Sequence, residues 1–155
     1  MAVSVLVLVI SVVKICENHV LLPSRTATVG ISCETETVLV YRVYRPTGPE
    51  ELELVRQSGF REWPPRLSSQ PIFYPVTNET YAREITERWN VKEKGVGYVT
   101  RFCVRRSFLA RYEIHRVGAA HHTEWWIPAK DLPELNRNIV GQIEIVGEYR
   151  AAVPS

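Results

Sequence analysis

Val38-Leu39-Val40-Tyr41-Arg42-Val43-Tyr44 is a run of β-branched and aromatic residues, which predicts a strand closed by Pro46. Thr47 and Glu50 stand at capping-box spacing, so a helix follows to about Ser58, with Gly59 as its left-handed stop. Two prolines make Trp63-Pro64-Pro65-Arg66 a shaped loop, since each removes a backbone donor. Pro71-Ile72-Phe73-Tyr74 reads as a short edge strand. Thr77 is placed to cap a second helix, with Val76 and Tyr81 as a hydrophobic staple and Tyr81, Ile85 and Trp89 as the core-facing stripe. Gly97 to Val104, Glu124 to Ile127 before Pro128, and Ile139 to Tyr149 predict three further strands; in the last, Ile143 and Ile145 alternate with Gln142 and Glu144. Strands outnumber helices and do not alternate with them regularly. The expected class is therefore α+β, a compact mixed or antiparallel sheet with a few helices.

The apolar run Ala2 to Val13 fits a signal core, a buried strand or an appended segment, and as a helix it is too short to span a bilayer. Pro23 to Thr37, rich in Ser, Thr and Gly, reads as a linker. This divides the chain into an N-terminal segment, 1–37, and a domain, 38–155. No stable membrane insertion is expected, and the location is cytoplasmic, or secreted if the apolar run is a signal segment.

With 45% apolar and 23% charged residues in 155, the composition is that of a globular chain, which argues against disorder. The net charge of +2 is too small to argue for nucleic acid by itself. Cys16, Cys33 and Cys103 form no CxxC pair and have no histidine at ligand spacing, so they read as reduced and structural, and no metal is expected. Walker, GxGxxG, GxSxG and HExxH patterns are absent. What remains is an ordered set of polar groups at strand positions: Arg42, then Tyr74, then His122-x-Glu124.

Tyr41-Arg42-x-x-x-Arg45-Pro46, followed by an acidic helix ending in Arg56-Gln57-Ser58-Gly59-Phe60, resembles the opening of cholera-toxin-type ADP-ribosyltransferases. By chain order Ile72-Phe73-Tyr74-Pro75 falls where that family has its second strand, and His122-Thr123-Glu124 where it has its glutamate. Asn138-Ile139-Val140-Gly141-Gln142-Ile143 is similar to the strand that closes the family's fold. Two departures stand out: the Ser-Thr-Ser element is missing, and His122 replaces the acid usual two residues before the glutamate. The resemblance implies an ADP-ribosyltransferase-like fold over residues 38 to about 149 that cleaves NAD and passes ADP-ribose to a protein, a nucleic acid or water. It assigns NAD to Arg42, Tyr41, Phe73 and Tyr74, and the chemistry to Glu124 and His122. A carboxylate at Glu124 opposes charge developing on an oxocarbenium-like ribose. Arg42 offers a fork for pyrophosphate, an aromatic at Phe73 or Tyr74 a face for nicotinamide, and His122 a base or acceptor-positioning group. Two other readings stay open: a catalytically silent nucleotide- or protein-binding module on the same fold, and a basic RNA-handling domain using Arg101, Arg105, Arg106, Arg111 and Arg116.

Overall fold

The computed structural model describes residues 21–24 and 36–152; the apolar run, Cys16 and Cys33 lie outside them. Strand β1 (Leu21–Ser24) pairs antiparallel with β2 (Glu36–Thr47), so Pro23 and Ser24 end a strand rather than begin a linker, and hydrogen bonding crosses position 37. β2 pairs with β4 (Val96–Arg105), and β4 with β8 (Ile139–Arg150), giving a four-stranded antiparallel sheet in the order β1-β2-β4-β8. Two-stranded ribbons join β3 (Ile72–Phe73) to β7 (Ile127–Pro128), and β5 (Ile114–Arg116) to β6 (Thr123–Trp125). This is an α+β molecule with antiparallel sheets and few helices. Cys103 on β4 is disulfide-bonded, which corrects the reading of reduced cysteines.

β2 runs through Pro46, which pairs with Val99. Tyr44, two residues back, turns its N–H and carbonyl towards Val76, at 2.9 and 2.8 Å, so alternation puts the missing Pro46 donor on that same edge, away from β4. Helix α1 (Pro49–Gln57) buries Leu52 and Val55 and ends at Gly59, φ 70°, as expected. Its N-cap is Gly48, and no capping box forms. The Thr47 hydroxyl is spent inside the sheet, 3.2 Å from the Arg45 carbonyl and 3.1 Å from the Thr100 hydroxyl, while Glu50 pairs with Lys94. The same displacement recurs at α2 (Glu79–Ile85): Thr77 bonds across to Thr123, and Asn78 caps instead, accepting from the Tyr81 N–H at 2.9 Å. Val76 and Tyr81 still share a small apolar cluster with Tyr44, Ala82 and Val99.

After α2 the chain makes a π-turn (Thr86–Asn90) before α3 (Val91–Lys94). Leading into this turn Ala82 and Thr86 are the buried pair, and the wider turn shifts the helical phase beyond it; Trp89, expected in the core stripe, is exposed. A four-residue helix, α4 (Arg106–Leu109), inserts Phe108 and Leu109 into the main core, as α5 (Leu132–Arg137) inserts Leu132 and Leu135. The strand expected over Glu124–Ile127 is two strands, β6 and β7, broken at exposed Trp126 and paired with different partners. In β8 only Ile143 is buried; register shifts against β4 leave Ile145 exposed and turn Val146 towards the smaller cluster.

The two faces of β2 separate the clusters. Val43 and its partner Phe102 lie in the larger one with Val55, Trp63, Phe73, Trp125 and Ile127. Tyr44 and, two residues back, Arg42 point to the other face.

Candidate active site

Val76 splices the ribbons onto the sheet. It forms antiparallel bridges to Tyr44 on one side and Glu124 on the other, flanked by Thr77 N–H to the Thr123 carbonyl at 3.0 Å and Trp125 N–H to the Pro75 carbonyl at 2.9 Å. The result is one continuous row of opposed residues, Glu144, Arg101, Tyr44, Val76, Glu124 and His115. Directly opposed residues share a face, so Glu124 and His115 project to the side that carries Arg42. Two residues of strand and two interstrand spacings put the Arg42 and Glu124 Cα atoms about 12 Å apart.

Glu124 is nearly buried, and both carboxylate oxygens are engaged. Oε1 accepts from the Trp126 indole N–H at 2.7 Å, and Oε2 from the Tyr81 hydroxyl at 3.4 Å. Burial first, then the Glu124 charge, pushes the Tyr81 phenol up. Around this carboxylate lies an aromatic rim. His115 stacks on Trp126 with centroids 4.2 Å apart, and Trp126 meets the exposed Tyr74 ring edge-on at 6.2 Å. The Tyr74 carbonyl is fixed from behind by Arg45 Nη1 at 3.3 Å. Arg42 has no carboxylate partner among the described residues, and its Nε is buried without an acceptor.

Arg42, Tyr74 and Glu124 thus share one face. Tyr41 and Phe73 do not. Tyr41 packs on Trp125 in the main core, and Phe73 is fully buried beside Trp63 with the Arg45 guanidinium 4.3 Å from its ring centre, so neither ring faces Arg42 or Glu124. Each is offset by one residue from a position that does face the site, and one residue along a strand reverses the side-chain direction.

His122 stacks on Tyr81 at 4.4 Å but has both ring nitrogens occupied. Nδ1 accepts the Ala119 N–H at 3.1 Å, which puts the ring proton on Nε2, 2.9 Å from Glu84 Oε2; His121 Nε2 lies 2.8 Å from Oε1 of the same carboxylate. Glu84, His121 and His122 are close enough to hold a cation. The His122 tautomer opposes it: a ligating imidazole needs a bare Nε2 and a protonated Nδ1, the reverse of this arrangement. The cluster is a hydrogen-bonded brace that ties α2 to the turn before β6. His115, missed in the sequence, is the imidazole placed directly opposite Glu124; β5 is three residues long, and nothing in its pattern marks it. Of the arginines between 101 and 116, Arg101 pairs with Glu144 at 2.5 Å and Arg111 with Glu134 at 3.0 Å, which reduces the free charge on any basic face.

No helix among the described residues is long and apolar enough to cross a membrane. Compared with protein-family models, with curated proteins and with solved structures, the chain matches none.

Proposed function

We propose that this domain, on an ADP-ribosyltransferase-like fold, cleaves NAD at its nicotinamide–ribose bond and transfers ADP-ribose to a protein, a nucleic acid or water. The observation that carries the reading is the splice at Val76, which sets Arg42 and Glu124 on one sheet face with the exposed Tyr74 and Trp126 rings beside the carboxylate. Arg42 presents for pyrophosphate a guanidinium with no carboxylate partner among the described residues, the rings give nicotinamide a surface, and Glu124 opposes positive charge on the ribose. In the reaction the glycosidic C–N bond breaks with its electron pair leaving on nicotinamide. The acceptor's lone pair closes on the ribose carbon, and the acceptor's proton passes to solvent or to a nearby base. His115 suits that last role by position, because His122 is committed to Ala119 and Glu84. Each Glu124 oxygen accepts one hydrogen bond and keeps a second lone pair, so a ribose hydroxyl meets the carboxylate beside the Trp126 and Tyr81 donors.

The engagement of both Glu124 oxygens favours a second reading, a binding module that holds a nucleotide without cleaving it. Nicotinamide release from NAD, measured for the wild type beside Glu124→Gln and Arg42→Ala, separates the two. Release lost in both variants supports cleavage; NAD binding without release across a panel of acceptors supports the module.

A further inference from the structure

On the opposite side of β2 from Arg42, the loop Glu62–Arg66 and the segment Ala129–Arg137 border an open-sided cavity of about 580 Å³. That volume is in the range that takes a small organic ligand. Its wall is held by Asn136, whose side chain accepts from the Trp63 N–H and donates to the Trp63 carbonyl, both at 2.9 Å. Arg66, Lys130 and Arg137 bring three positive charges to the lining and Glu62 one negative charge. Lys130 and Arg137 have no carboxylate partner among the described residues. Arg66 does have one, Glu51 at 2.9 Å, but Arg45 claims the same carboxylate at 2.9 Å, so one acid serves two guanidinium groups.

Hydrogen-bond donors are also in surplus here. Of the four buried side-chain donors without an acceptor among the described residues, two belong to residues that line it, Arg66 Nε and Trp63 Nε1. These atoms are enclosed, so they act on the cavity through their field and not by contact. Lys130 and Arg137 are solvent-exposed and free to close on a ligand.

We propose that this cavity is a second ligand site, independent of Glu124, that takes a phosphorylated small molecule with its phosphate held by Lys130 and Arg137 in the field of Arg66. Positive charge without a matching acid, in a recess lined by three cationic side chains and one acidic one, selects an anion. A volume well beyond that of inorganic phosphate selects one carrying an organic portion.

The test is calorimetric titration of the full chain with inorganic phosphate and, separately, with AMP. Saturable binding is expected for both, tighter for AMP. The double variant Lys130→Ala/Arg137→Ala, which changes only exposed side chains, weakens each by at least about tenfold, as loss of charge-assisted contacts requires. Arg42→Ala and Glu124→Gln leave both affinities unchanged. Absence of saturable binding overturns the proposal, as does binding that survives the double variant. Binding abolished by Arg42→Ala overturns it too, and places the anion on the face proposed for NAD. Failure of nicotinamide release leaves this site untouched, because neither Arg42 nor Glu124 lines it.

Discussion

Replacing Glu51 by Gln tests how far the Arg45–Glu51–Arg66 group holds the fold together. Glu51 accepts from Arg45 Nη2 at 2.9 and 3.2 Å through its two oxygens, and from Arg66 Nη1 at 2.9 Å. The side chains are 8% exposed for Arg45, 11% for Arg66 and 19% for Glu51, so the three charges are largely out of water. Burial first, and then the like charge of Arg45, lower the Arg66 pKa, the sign expected where two cations share one acid. An isosteric amide keeps the volume but leaves both guanidinium groups without a counter-charge. Removing one partner of a buried pair costs about 3 to 5 kcal/mol, and residual solvation of Glu51 puts the expectation at the low end, about 3 kcal/mol. For a domain of this size that corresponds to a fall in Tm of roughly 10 °C. Urea unfolding with an unchanged m-value is the assay. In an Arg66→Met background the same substitution should cost at least about 1 kcal/mol less, since only one cation is then stranded. A loss below about 1 kcal/mol in the wild-type background would refute the reasoning and show that solvent already screens the group.

Hydrogen bonds from His121 and then His122 hold the Glu84 carboxyl below its ordinary value of 4.5, so its contribution to stability is complete above that value and is lost as pH falls through the lower folded value. Acid unfolding of Glu84→Gln should therefore be shallower below pH 4.5 than that of the wild type, and superimposable curves would count against the brace. Gly97→Ala puts a Cβ 2.7 Å from both Asn90 Cβ and Thr86 Cγ2, so a destabilisation of about 1 to 3 kcal/mol is expected by thermal unfolding. Trp89→Ala removes an exposed ring and should cost under about 1 kcal/mol by the same method, whereas a core ring would cost several times more. With Cys103 in a disulfide and three cysteines in the chain, thiol titration of the unreduced, denatured protein should find one free thiol, and three would contradict the bond.

Strand positions were readable because Val38 to Tyr44 and Gly97 to Val104 carry their own local signal. The face that each residue presents was not. Tyr41 against Arg42, and Phe73 against Tyr74, differ by one position, and only the location of the core decides which of each pair looks outward. Thr47 and Thr77 misled for one shared reason: the hydroxyl that caps a helix also satisfies a neighbour across a sheet, and in both cases Thr100 or Thr123 was the nearer partner. His115 and Glu84 are tied to the site by tertiary pairing alone, Glu84 through histidines 37 and 38 residues away.

Because Val76 is the single residue spliced between Tyr44 and Glu124, the spacing between Arg42 and Glu124 is written in peptide units rather than in side-chain contacts. Substitutions in the core beneath can loosen the fold without altering that spacing. Inserting or deleting one residue in the short stretch from Tyr74 to Val76 would put a different residue in the splice and shift β6 against β2, separating the carboxylate from the guanidinium while β2, β4 and β8 kept their places. Along this face the chain tolerates changes of letter far better than changes of length.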